Sequence, residues 1–521
     1  MNPVRPGILI WLLVLALCWA FYGMGGRDAW HMDEVLTLTP MLAWLDGSLS
    51  IWALPAPLYH LTAGLLAKLG PFGMDVQDSA RMASGLFIVI ALAAVGLTAR
   101  RLFGVGYGPA AVLALMGSFG LMLRAHAFLP ESALLAVWAL LLWGMSEART
   151  SPRLAGGLIG VSLALLTLGL RGLPDLLAAL VLLFAPLFVR VWRDKNYKRA
   201  LLMGLSLGAA LIGAGLLFIY QAGILAAWLQ THGPARLLPT VKISLLFSEL
   251  AWFAWPLWPL AMAAIWHEHR RLTRSPSLQL PLIALAVLLL AATLPTWSRA
   301  GGLLPVLLPM ALLAAFALEY LRRGAAQAFY WFGVLCFLFF AVAFWIYFAA
   351  TEWGVPAQLS LHIIKLNPAY EAGQVATSSI WLAAGATVLW LLATALFPRA
   401  KTRPILVWAT GMVLVWVLLI SLFRPWAEAG WGYKPMLMQM ATHLPDKTCL
   451  EIETDEATAT MVRYHLGGRL LKSPESGCHW RLVQNLKNEK FAASTAQVVW
   501  EGMRPRAKRH QYRLEYSEKV H

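Results

Sequence analysis

Two adjacent carboxylates, Asp33 and Glu34, stand in the polar segment Trp30-His31-Met32-Asp33-Glu34, directly after the first apolar run of the chain. Charge held beside a hydrocarbon phase is costly, so such a pair is expected to have a use. A third carboxylate, Glu131 in Leu129-Pro130-Glu131-Ser132, and three arginines, Arg124, Arg171 and Arg299, recur at the ends of later apolar runs. A carboxylate can take the proton of an attacking hydroxyl, and guanidinium groups hold a departing phosphate through paired donors. The set therefore suits transfer of a sugar from a sugar phosphate to a hydroxyl. Asp33 is then the expected base, Glu34 orients the acceptor or helps hold a metal, and Glu131 is a second catalytic carboxylate. Arg124, Arg171 and Arg299 are the expected donor-phosphate ligands, and Tyr59, His60 and His126 the expected substrate contacts. A divalent metal on Asp33 and His31 is an open alternative, although no spacing resembles a dedicated zinc motif. Each group also has a plainer reading: a carboxylate pair can cap a helix, a lone arginine can snorkel to headgroups, and a histidine can simply pack.

The elements that must position these groups follow from composition. The chain has 521 residues, 59% hydrophobic and 13% charged, with a mean hydropathy of +0.65, whereas a soluble domain carries roughly 25% charged residues. An α-helical polytopic membrane protein is implied. Runs long enough to cross the hydrocarbon as helix number about thirteen. They lie near 7–24, 82–99, 107–123, 131–147, 154–170, 173–192, 200–221, 245–266, 279–297, 302–320, 328–350, 378–397 and 404–423. Every second gap is basic: Arg5; Arg100 and Arg101; Arg149 and Arg153; Arg190, Arg193, Lys195, Lys198 and Arg199; Arg270, Arg271 and Arg274; Arg322 and Arg323; Arg399, Lys401 and Arg403. The inside-positive rule then places the N-terminus in the cytoplasm, and an odd number of spans places the C-terminus outside. This topology absorbs most of the net charge of +16, so the expected partner of the basic loops is anionic membrane lipid and not nucleic acid. The first run reads as an uncleaved anchor.

Three long connections fall on the outer face, at 25–81, 222–244 and 351–377, and 57–70 within the first has the spacing of a helix lying in the interface. After Arg424-Pro425 the composition turns polar, which divides the chain into a membrane domain, 1–424, and a small α/β periplasmic domain, 425–521. Strands are expected over 448–453, 480–484, 497–501 and 511–516, with a helix over 455–466 stopped by Gly467-Gly468. Cys449 and Cys478 both fall in this outer segment, where a disulfide between them could persist.

The order Asp33-Glu34; Pro57-Leu58-Tyr59; Asp78-Ser79-Ala80-Arg81 followed by a span ending Ala99-Arg100-Arg101-Leu102-Phe103-Gly104; Arg124 with Pro130-Glu131; and Leu166-Thr167 leading to Arg171-Gly172 resembles the GT-C glycosyltransferases. The nearest likeness is to the branch holding the aminoarabinose transferase of lipid A and the protein O-mannosyltransferases. That resemblance covers roughly the first 180 residues in motifs and the remainder in topology. It implies a many-spanning protein of the bacterial inner membrane that transfers a sugar from a polyprenyl phosphate, with inversion, to a periplasmic acceptor: lipid A, another glycolipid, a glycan or a protein. Asp33 resembles the catalytic aspartate of the family, Glu131 takes the place of its second acidic residue, and Arg171 stands where a Lys-Gly pair is common. Leu54-Pro55 replaces the usual Glu-Lys pair before Pro57-Leu58-Tyr59, and Val35-Leu36-Thr37 replaces a usual arginine. The reading from another class is a transporter or flippase of lipid-linked saccharides. Such proteins place ionisable groups mid-span and often repeat internally, whereas here the charges gather at run ends.

Overall fold

The computed structural model describes residues 6–70, 73–239, 241–270, 272, 274–295, 299–397, 400–471, 478–487, 489, 491, 496–506 and 509–518; of residues 6–8 and 299–300 only the backbone is described. Helices stand on all thirteen apolar runs. Among the described residues six helices are long and apolar enough to cross a membrane by themselves, and Ile243–Phe253 with Leu257–Glu268 forms a further pair bent by 99°. The protein is a polytopic membrane protein with a small C-terminal sheet domain.

The chain divides into two compact units. One comprises residues 1–25, 40–339 and 388–416; the other comprises 26–39, 340–387 and 417–521. In the first, the helices Val76–Phe103, Glu131–Glu147 and Leu307–Tyr320 form the centre, with Leu134, Leu135, Trp138, Leu141, Leu307 and Leu312 all at most 1% exposed. Val76–Phe103 and Glu131–Glu147 run in the same sense, since Ser84 near the start of one donates to the Ala127 carbonyl just ahead of the other, and Arg101 near its end pairs with Glu147. The short turn 148–151 then reverses the chain into Pro152–Leu168. Glu131 and Arg171 consequently lie at one end of this hairpin, and Glu147 and Arg153 at the other.

Pro152–Leu168 packs on Lys195–Gln221 through two facing rows of glycine. A Cβ on Gly156 would stand 2.7 Å from the Met203 Cβ, and one on Gly160 2.8 Å from the Leu207 Cβ. From the other side, one on Gly204 would stand 2.6 Å from Ile159 Cγ2. Small residues four apart let two backbones approach closely, where association rests on van der Waals contact because lipid is as apolar as leucine. Gly160→Leu should therefore force this pair apart and lower the thermal unfolding temperature in detergent, whereas Gly157→Leu, which faces open space, should not; equal effects would remove the glycine rows from this role.

In the second unit, β1 (Leu450–Glu453), β2 (Trp480–Leu486), β3 (Gln497–Gly502) and β4 (His510–Tyr516) form one sheet in the order β1-β2-β4-β3. β1 and β2 are parallel and are joined through the helix Glu456–Leu466; the other pairings are antiparallel. Cys449 and Cys478, just ahead of the two parallel strands, are bridged, with Cα atoms 5.4 Å apart. By the chain-entropy account, a loop of this size is worth roughly 3–4 kcal/mol. Asp455 caps the helix by accepting from the Thr458 amide at 2.7 Å, and it exchanges two bonds with Gln484 of β2. Burial pushes the Asp455 carboxyl upward, but the bonds from Gln484 and Thr458 outweigh it and hold the group below the ordinary aspartate range. A depressed carboxyl contributes stability that is present above its unfolded value, about 3.9, and is lost as pH falls through the folded one. Hydrogen exchange at 456–466 in the full chain should accordingly rise as pH is lowered below about 4, after correction for intrinsic exchange. In Asp455→Ala that exchange should already be raised at pH 7 by loss of the cap; an unaltered pH response in that variant would assign the acid sensitivity elsewhere.

Candidate active site

Asp33 and Glu34 open the helix Met32–Leu45, where carboxylates meet the positive end of the helix dipole. Their side chains go to opposite fates because successive helical residues point about 100° apart. Glu34 is 1% exposed. It is gripped by Arg27, with Nη2 to Oε1 at 2.9 Å and Nη1 to Oε2 at 3.2 Å, and it accepts from the Trp30 amide at 3.2 Å. Asp33 is exposed, and among the described residues its carboxylate makes no hydrogen bond or ion pair; only its carbonyl is used, accepting from the Thr37 hydroxyl. His31 and Met32 are exposed beside it. Both Glu34 oxygens are thus engaged within the 27–34 turn.

That turn is fixed at several further points. The Asp28 carboxylate accepts from the backbone amides of Tyr433 and Lys434, each at 2.9 Å, and lies 3.2 Å from His465 Nε2. Glu428 Oε2 receives both the Asp28 amide and the Trp30 indole, at 3.1 and 2.7 Å. Arg27 also stands over the Trp30 ring, 4.8 Å from its centroid. Arg27, Asp28, Glu428 and His465 were not singled out from sequence. The only local signal was Gly25-Gly26-Arg27-Asp28, a charged turn after a glycine pair.

In the first unit, Glu131 is 1% exposed at the start of its helix, with Arg124 Nη2 at 3.6 Å from its Oε1. Gly301, in the short helix Arg299–Leu303, packs so closely that an added Cβ would collide with the Glu131 side chain. The side chain of Arg299 itself lies outside the described residues. Arg171 and Asp175 form a buried pair at 3.5 Å, side chains 6% and 1% exposed. Among the described residues the Arg171 Nε and Nη2 have no hydrogen-bond partner. Gly172 next to it has φ +84°, and any side chain there would strike His232, which explains the Arg-Gly order.

Tyr59, His60 and His126, expected as substrate contacts, are buried within this unit. The Tyr59 hydroxyl and Ser84 are 2.7 Å apart, and Ser84 in turn donates to the Ala127 carbonyl. His126 Nε2 meets the Trp19 carbonyl at 2.7 Å and its ring stacks on Trp416 with centroids 3.9 Å apart. His60 Nδ1 meets the Ala56 carbonyl at 2.8 Å. Tyr59 and His126 thus fix the 124–131 turn that carries Arg124 and Glu131. Among the described residues no three His, Cys, Asp or Glu side chains converge as a metal site.

No family model matches the sequence, and none of the curated proteins does either. Solved structures do match. ArnT from Cupriavidus metallidurans bound to undecaprenyl phosphate is 15% identical, superposes with a TM-score of 0.69 and aligns over 99% of this chain and 100% of its own. Its apo state aligns over 98% of each chain, with 14% identity and a TM-score of 0.66. The chain has the fold of ArnT. The oligosaccharyltransferase of Archaeoglobus fulgidus, in complex with zinc and sulfate, matches more distantly: 13% identity, a TM-score of 0.46, and 89% of this chain on 62% of that one.

Separate fates for the two carboxylates give separate phenotypes. Arg27→Ala leaves the buried Glu34 charge without its guanidinium, a loss on the order of 3–5 kcal/mol for buried pairs. It should lower the unfolding temperature sharply, while Asp33→Asn should shift it little. Equal thermal shifts in the two variants would contradict the assignment of the structural role to Glu34.

Proposed function

We propose that the protein is a membrane glycosyltransferase that takes a sugar from a polyprenyl phosphate and delivers it to a periplasmic acceptor hydroxyl, on a glycolipid such as lipid A, a glycan or a protein. The observation that carries the reading is the exposed Asp33 carboxylate, unpartnered among the described residues, beside a Glu34 whose oxygens are engaged by Arg27 and Trp30. Asp33 accepts the acceptor's proton as the hydroxyl oxygen attacks the anomeric carbon from the face opposite the phosphate. The bond from that carbon to the phosphate oxygen breaks, and the configuration inverts. The phosphate leaves on the polyprenyl chain with the electron pair, and cations must balance its charge.

Arg171 is the cation best suited to that task. Its guanidinium is buried, its pairing with Asp175 uses one nitrogen, and the other two, Nε and Nη2, have no hydrogen-bond partner among the described residues and can donate to phosphate oxygens. Arg124 is partly neutralised by Glu131, which fits a supporting part, and Arg299 is assigned as a further phosphate ligand from its sequence position. The likeness to a fold that has been captured with undecaprenyl phosphate supports a lipid-phosphate donor. Inner-membrane placement, with the sheet domain on the periplasmic side, follows from the inside-positive count.

Two measurements separate the assignments. Transfer of radiolabelled sugar from a polyprenyl-phosphate pool, in proteoliposomes of the full chain, should fall by roughly two to four orders of magnitude in Asp33→Asn, with undecaprenyl phosphate binding intact. Near-normal transfer would remove Asp33 from the chemistry. In Arg171→Gln, undecaprenyl phosphate binding itself should weaken by about tenfold or more, an amount that a lost charge-assisted bond accounts for, and Arg171→Lys should restore part of it. Unchanged binding in Arg171→Gln would end its role as a phosphate ligand.

A further inference from the structure

At the far end of the helical hairpin from Glu131, Ser151, Pro152, Arg153 and Leu154 of one helix start and Arg199, Leu202 and Met203 of the helix Lys195–Gln221 line a cavity of about 640 Å³. The helix Glu131–Glu147 has 17 residues, so at 1.5 Å per residue this place lies about 25 Å along the hairpin from Glu131. Its walls combine two features that are stable together only at a membrane boundary. Leu154, Leu202 and Met203 are 47%, 68% and 42% exposed, a strip of hydrocarbon that water would disfavour. Two guanidinium groups, Arg153 and Arg199, border the same space, and among the described residues neither is in an ion pair.

The carboxylates that could neutralise them are engaged elsewhere. Glu147 pairs with Arg101 at 3.3 Å and accepts from the Thr150 hydroxyl. Asp194 caps the helix Lys195–Gln221 by accepting from the amides of Asn196 and Tyr197. The cavity is therefore positive without local compensation. Its width is also set: the closely packed Gly156 and Met203 come one turn after Arg153 and Arg199 respectively, so the tight glycine contact fixes the helices just where the arginines project.

We propose that this cavity is a binding site for one anionic phospholipid, its phosphate bridged by Arg153 and Arg199 and an acyl chain lying along Leu154, Leu202 and Met203. A diester phosphate on a diacylglycerol fits both halves, since the charge meets two guanidinium groups and the chain covers apolar surface that a soluble anion would leave wet. The site is independent of the proposed transfer chemistry and makes no use of its residues.

Native mass spectrometry of the full chain in detergent, titrated with dioleoyl phosphatidylglycerol, tests it. One lipid should be retained with an affinity above the remaining, weaker associations, and dioleoyl phosphatidylcholine should not replace it. Arg153→Gln with Arg199→Gln should weaken that first binding by roughly 10- to 30-fold, the scale expected for two cations at a lipid surface, and the Lys pair should recover most of it. Arg190→Gln with Arg193→Gln, nearby in the chain but outside the cavity, should leave it intact, and the unfolding temperature of the arginine variants should stay close to that of the unaltered protein. Met203→Trp, which fills the apolar wall without altering charge, should also displace the lipid. Equal losses in both arginine pairs would mean a diffuse basic surface and overturn the site. Displacement by millimolar inorganic phosphate would make it a site for a free anion and overturn the lipid assignment.

Discussion

A charge withdrawn from water is stable only when the protein supplies its counter-charge and hydrogen bonds, and this constraint organises the protein. Arg27 with Glu34, Arg81 with Asp78 and Arg171 with Asp175 each pair a cation to an anion at or near full burial, and the buried Glu131 pairs with a half-buried Arg124. Arg81 is wholly buried and reaches the Met24 carbonyl as well as Asp78, so it ties the end of the first helix to the start of Val76–Phe103. Against that background, among the described residues, the Asp33 carboxylate and the Arg171 Nε and Nη2 are among the polar groups without a hydrogen-bond partner.

Bonds from side chain to backbone do the positioning. Asp28 takes two successive amides at 433 and 434, and Ser84 and His126 reach carbonyls of Ala127 and Trp19. Such bonds hold irregular turns, which have no ladder of their own and would otherwise leave backbone groups unsatisfied. The turns at 26–31 and 124–130 are therefore as determined as helices, which a site built on loops requires. The same logic gives Tyr59 and His126 their place: each is a polar side chain whose burial is compensated by a bond that fixes a neighbouring turn.

Helix packing follows a second, weaker rule. With hydrocarbon on both sides, apolar burial alone does not select one helix partner over another, and close contact between glycine rows does. Lys195–Gln221 is held to Pro152–Leu168 in this way while much of its remaining surface is apolar and exposed, as Leu202, Leu217 and Phe218 illustrate.

The amino-acid sequence by itself determined the helical runs, the strands of the C-terminal sheet and its helix, because these depend on local periodicity, apolar length and caps such as Asp455 and Gly467. It also marked Asp33 and Glu34, since a double carboxylate after an apolar run is visible without coordinates. What it could not divide was the labour between neighbours. Asp33 and Glu34 are the same chemistry one residue apart, and only the fold, by aiming Glu34 at Arg27 seven residues earlier and burying both, decides which one is left uncommitted. Partners distant in sequence were equally illegible: Glu428 is 398 residues from the Trp30 it holds, and His465 is 437 from Asp28. No local pattern encodes such pairs, because they are selected by packing across the whole chain and not by the propensity of either segment.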